Sequence, residues 1–71
     1  MAMEFTSVES SQLDQIGYDA ETQTAQVDFA NGASYLYEHV EKEVVDAIIG
    51  AASPGRQFNQ TLKYGYSYRR L

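Results

Sequence analysis

The stretch TAQVDFANGASYLYE, residues 24–38, decides the fold. Ala25, Val27 and Phe29 alternate with Gln26 and Asp28, the two-residue period of a strand with one buried face and one wet face. Ala33, Tyr35 and Tyr37 resume that alternation, with Ser34, Leu36 and Glu38 opposite. Between the runs stands Asn31-Gly32, the pair that best tolerates the positive φ needed at both centres of a type I′ turn. The stretch therefore reads as a β-hairpin.

Toward the N-terminus, residues 20–23 read as a turn and residues 12–19 as a further strand. Of its apolar positions Leu13, Ile16 and Tyr18, the last two keep the two-residue period. Residues 1–10 show no sustained period. They read as a loosely held arm in which Phe5 or Val8 docks, flexible over residues 1–6, with a single folded domain over 7–71.

Toward the C-terminus the period changes. Val44, Val45, Ile48, Ile49 and Ala52 form the stripe of an amphipathic helix, Glu41 and Glu43 suit the positive end of its dipole, and Gly50 weakens its last turn. Ser53-Pro54-Gly55 is a second helix start, because Ser caps and Pro is preorganised for the first helical position. A short helix over 54–63 would carry Phe58 and Leu62 on one side and end at Gly65. In the tail, Tyr66, Tyr68 and Arg70 share a face if extended, so it can add an edge strand or reach another subunit. The expected class is α+β: a three-stranded antiparallel meander packed against one or two short helices, with the tail available as an added edge.

Seventy-one residues hold one domain with a thin core, since six of the apolar class are Tyr and eight are Ala. Such small folds often need a disulfide, a metal or a partner subunit. With no Cys and a single His, disulfides and thiolate sites are excluded and zinc is not expected, which leaves homo-oligomerisation as the expected staple. No apolar run reaches the roughly 18 residues of a membrane span, and residues 1–10 lack the basic start and apolar stretch of a signal peptide. A cytoplasmic protein without a membrane partner is expected.

Net charge is -5, which argues against a generic nucleic-acid coat protein. Its distribution is uneven. All ten acidic residues lie between Glu4 and Asp46, with Lys42 the one base among them, whereas Arg56, Lys63, Arg69 and Arg70 follow with no acid. Either these halves pair with each other, within or between subunits, or the basic segment holds an anion.

The pattern resembles the KTSC domain. The residues that carry the resemblance are Val8-x-Ser10-Ser11, Ile16-Gly17-Tyr18-Asp19, Val27-x-Phe29-x-Asn31-Gly32-x-x-Tyr35-x-Tyr37, Val40, Val44, Ala52-Ser53-x-Gly55, Phe58-Asn59 and Tyr66-Ser67-Tyr68-Arg69. It covers residues 7–71. Two departures are visible: Ala52 stands one residue nearer Ser53 than the family pattern has it, and Glu41 replaces the Pro that commonly follows the Val after the Tyr-x-Tyr strand. The family occurs at the C-terminus of some lysyl-tRNA synthetases and as short stand-alone proteins of bacteria and phages. The resemblance implies a fold more than an activity, with RNA binding a suggestion made for the family.

Two groups of residues could carry binding. Ser53, Gly55 and Arg56 at a helix start could hold a phosphate, against the plainer reading of a cap with a solvated Arg. Tyr35, Tyr37, Tyr66 and Tyr68, interleaved with Lys63, Arg69 and Arg70 and joined by Asn59, could stack a base while neutralising its phosphate. Against this, Tyr favours strands and packs its ring in cores or interfaces. Catalysis finds little support: no Walker pattern is present, the carboxylates look solvated, and His39 stands at an exposed junction without a nucleophile to serve. The expected function is a non-enzymatic, cofactor-free module for a phosphate-bearing ligand, a small or cyclic nucleotide or a short RNA, which in a phage would sequester a nucleotide signal. A self-assembly or protein-interaction module without a small ligand is the alternative.

Overall fold

In the computed structural model, which describes residues 3–71, five antiparallel strands form one sheet in the order β1-β2-β3-β4-β5: β1 Glu4–Ser7, β2 Leu13–Asp19, β3 Thr24–Phe29, β4 Ser34–Tyr37 and β5 Tyr68–Arg70. Two helices, α1 Lys42–Ile49 and α2 Pro54–Gln60, lie in the chain between β4 and β5. The α+β class and the central meander are as expected; the sheet has five strands rather than three. The tail supplies one extra edge, with Tyr68 opposite Tyr37 and Arg70 opposite Tyr35. The other comes from residues read as part of the arm: Glu4 pairs with Tyr18, and Thr6 with Ile16. Met1 and Ala2 lie outside the described residues.

Directly opposed residues point to the same face, so Thr6, Ile16, Val27 and Tyr35 form one row and Phe5, Gly17, Gln26, Leu36 and Arg69 a row on the other face. Both helices pack on the first face. Val45 and Ile48 of α1, Phe58 of α2, and Leu62 just after it are buried with Ile16, Ala25, Val27 and Tyr37. Val44 and Ile49 complete the helical stripe at its half-buried margin. Burying a Leu, Ile or Phe is worth about 1.5–3 kcal/mol, so this cluster rather than the exposed Lys42–Asp46 ion pair holds the domain together.

Leu13 and Ile16 are three apart, yet both are buried on the inner side. A bulge between Leu13 and Gln15 resolves this, since Leu13 opposes Phe29 while Gln15 opposes Asp28, leaving Asp14 as the extra residue. The β3–β4 turn also departs from the expected type I′. The Gly32 N–H donates to the Phe29 carbonyl at 3.0 Å, so Ala30 and Asn31 are the central residues, and only Gly32, at φ 94°, is left-handed. A three-residue loop with a glycine bulge results, with the Ala33 N–H donating to Asn31 Oδ1 at 3.0 Å.

Beyond β4 the chain turns at His39, φ 58°, and Val40 is then fixed from two sides. Its carbonyl accepts from the Tyr18 hydroxyl at 2.7 Å, and its N–H donates to the Gln23 carbonyl at 2.8 Å. Helix α2 ends at Gln60, three residues before the expected Lys63, and the Thr61 hydroxyl donates back to the Gln57 carbonyl at 2.7 Å. Gly65, left-handed at φ 84°, turns the following loop toward β5.

Candidate functional site

Because Ala25 and Val27 share a face with Phe29, and Tyr35 and Tyr37 with Tyr68, the hairpin and β5 deliver four aromatic rings to one corner of the inner face. Helix α2 brings Phe58 against them. The five rings form a closed circuit: Phe29 to Tyr35 at 5.5 Å between centroids, Tyr35 to Tyr68 at 5.7 Å, Tyr68 to Tyr37 at 5.5 Å, Tyr37 to Phe58 at 5.8 Å, and Phe58 to Phe29 at 5.3 Å. Three of these pairs meet edge to face and the two involving Tyr68 are tilted. Such contacts add about 0.5–1.5 kcal/mol each beyond burial, so the circuit is a rigid element of the domain.

This circuit lines a cleft of about 380 Å³, completed by Gln12, Asn31, Ala33, Lys63 and Tyr64. The volume lies in the range of small-molecule sites. Lys63 is the one charged residue of the lining, and no carboxylate joins it, in a chain of net charge -5. Its Nζ stands 5.9 Å from the centre of the Tyr64 ring. Exposure differs sharply around the circuit: Tyr37 is 4% exposed and Tyr68 58%. Burial pushes the Tyr37 hydroxyl up to about 12, with the neighbouring Tyr68 and Tyr35 adding to the shift, so it stays protonated through neutral and moderately alkaline pH.

Of the residues singled out in the sequence, Tyr35, Tyr37, Lys63 and Tyr68 come together in the cleft. Arg70, opposite Tyr35 on β5, projects on the same side of the sheet, whereas Arg69 is opposite Leu36 and projects on the other. Tyr66 packs half-buried against the core, and Asn59 sits behind the cleft, its Oδ1 accepting from Gln12 Nε2 at 3.5 Å. Ser53, Gly55 and Arg56 do not line it. At their end of α2 the Ser53 side chain makes no capping bond, Pro54 has no N–H, and Gly55 is buried. A Cβ on Gly55 would stand 3.0 Å from Gln12 Oε1 and 3.1 Å from Ser10 Oγ, so glycine is there for close approach of the β1–β2 loop. Gln12, Phe29, Asn31, Phe58 and Tyr64 were not singled out in the sequence. Phe29 could have been, since continuing the hairpin register places it beside Tyr35; the others converge only through tertiary packing.

A five-stranded antiparallel meander with two short helices on one face, its last strand reached through those helices, defines a small α+β domain with an aromatic corner. The chain belongs to the KTSC domain family, whose model matches residues 9–66. It is 46% identical over 70 residues to an uncharacterized protein of Stutzerimonas stutzeri, covering 97% of this chain and 99% of that one. A protein of Tsukamurella paurometabola is 43% identical over 56 residues, 79% of this chain and 84% of the relative. The crystal structure of a KTSC domain protein from Yersinia pestis superposes with a TM-score of 0.90 at 30% identity, covering 99% of each chain. No helix among the described residues is long and apolar enough to cross a membrane.

Proposed function

We propose that the domain is a non-enzymatic binding module that takes a small nucleotide, or one nucleotide of a short RNA, into the aromatic cleft. The observation that carries this reading is the closed circuit of five rings beside a lysine, with no carboxylate in the lining. Every base has a π-face, and each stack on an aromatic side chain contributes about 1–3 kcal/mol. Lys63 at the rim and Arg70 beside Tyr35 supply the positive charge a phosphate needs. Net negative charge repels a long polyanion along its length but leaves a local basic corner able to hold a short one. In a phage, such a module would act by sequestering a nucleotide signal of its host.

The test is a thermal-shift screen against mononucleotides, cyclic di- and trinucleotides and short single-stranded RNAs, at low and physiological salt. A shift of several degrees with one class supports the reading, and Tyr68→Ala with Lys63→Ala should abolish it. No shift with any class sinks it.

One observation favours a second reading, self-association. Strands β1 and β5 are the two edges of the sheet, every residue of both is exposed, and Leu71 beyond β5 is 59% exposed. Melting that depends on protein concentration and ignores nucleotides would select this reading over the first.

A further inference from the structure

The hydrogen-bonding groups left free around the cleft are not balanced between donors and acceptors. Asn31 presents an amide whose oxygen is already engaged by the Ala33 N–H at 3.0 Å, so its two Nδ2 hydrogens remain. Lys63 carries donors only. Gln12 is turned away: Nε2 points to Asn59 Oδ1 at 3.5 Å, and Oε1 lies against the backbone of Gly55. The main-chain carbonyls of Phe29, Ala33 and Phe58 accept, respectively, from Gly32 at 3.0 Å, from Phe29 at 2.8 Å, and from both Thr61 and Lys63 at 3.1 Å. The tyrosine hydroxyls can act in either sense, and that of Tyr37, which makes no hydrogen bond among the described residues, keeps its proton to donate.

From this accounting, and resting on the nucleotide reading above, we infer that the cleft selects nucleotides with keto bases, guanine and uracil, over those with amino bases, adenine and cytosine. Guanine offers the O6 and N7 acceptors along one edge and uracil offers O4, whereas adenine N6 and cytosine N4 present donors at the corresponding positions. A donor facing the Asn31 amide hydrogens would leave both unpaired in a largely apolar cleft, a penalty the keto bases escape. Stacking on the tyrosines is common to all four bases, so the difference between them falls on the hydrogen-bonding edge.

The experiment is titration calorimetry of the intact protein with the four ribonucleoside 5′-monophosphates, repeated on Asn31→Asp and Tyr37→Phe. GMP and UMP are expected to bind about fivefold or more tightly than AMP and CMP, the lower end of what one good base contact discriminates. Asn31→Asp keeps an oxygen for the Ala33 N–H and replaces the free donors with an acceptor; it should lower all four affinities through its charge and shift the ratio toward AMP and CMP. Tyr37→Phe should narrow the ratio without reversing it. Equal affinities, an amino-base preference, or a ratio untouched by Asn31→Asp would overturn the inference while leaving the nucleotide site standing. Absence of binding by all four, and by the cyclic and RNA ligands of the screen, would remove the site and this selectivity together.

Discussion

The ring of Phe5 occupies the space that a side chain at Gly17 would need. Its Cε2 and Cδ2 atoms lie 2.7 and 2.8 Å from where a Cβ would stand, across the β1–β2 pair on the face without helices. Edge strand β1 is otherwise exposed, so this contact is its main apolar attachment on that face. Phe5→Ala and Gly17→Ala should each destabilise the domain by about 1–2 kcal/mol. The double variant should fall well short of the sum, because both changes remove one contact. Urea denaturation of the four proteins measures the coupling, and strict additivity would show that the packing contributes nothing.

Tyr37 and Tyr68 belong to one aromatic circuit but differ in burial, which separates stability from binding. Tyr37→Ala removes a core ring and should cost about 3–5 kcal/mol. Tyr68→Ala removes a mostly exposed ring with two tilted partners and should cost about 1–2 kcal/mol in stability, while weakening nucleotide binding at least tenfold. Paired denaturation and titration experiments check both, and equal stability losses would contradict the burial difference.

Gly55→Ala places a methyl 3.0 Å from Gln12 Oε1 and should destabilise by about 1–3 kcal/mol. Arg56→Ala, at an exposed position outside the cleft, should leave both stability and nucleotide affinity unchanged. Loss of binding in the Arg56 variant would move the anion site from the cleft to the start of α2.

Alkaline pH should unfold the protein through its buried phenols. Tyr37 is raised from 10.0 to about 12, and Tyr18 is also raised, chiefly by burial. The unfolded chain therefore releases these protons first, near pH 10, and the folded state retains them, so stability falls as pH rises from about 10 toward 12. Tyr37→Phe should flatten that limb of a stability–pH curve. At the acid end, burial alone would raise Asp28, but the hydrogen bonds it accepts from Gln15, Gln26 and Ser34 prevail and hold it below 3.8. Its contribution is present above that pH and is lost as pH falls through the depressed value; Asp28→Asn should remove the corresponding slope.

His39 and Gln23 are non-glycine residues with left-handed backbones, at φ 58° and 54°. His39→Gly should raise stability by a few tenths to about 1 kcal/mol, the relief of a strained φ less the added freedom of the unfolded chain. A fall in melting temperature would show that the imidazole is held by contacts stronger than that strain.

The central hairpin, the stripe of α1 and the start of α2 were legible because each repeats a local period: Ala25, Val27 and Phe29 at two residues, Val45 and Ile48 at the helical one. Strand β1 was not, because Glu4 and Thr6 face a part of the sheet that no helix buries, so nothing imposes alternation on them. The bulge at Asp14 was hidden in the irregular spacing of Leu13 and Ile16. The candidate site was half legible. Tyr35, Tyr37, Lys63 and Tyr68 stand out by type, but Asn31, Phe58 and Tyr64 join them only when α2 and its following loop fold back over the hairpin.

Both helices lie between β4 and β5, so the pairing of Tyr37 with Tyr68 closes one long loop that contains them. The entropy of closing that loop is met once, by a short strand and two ring contacts. Release of β5 would therefore open the aromatic corner and loosen the anchorage of the helical segment in one event, making amide exchange across α2 and β5 rise and fall together.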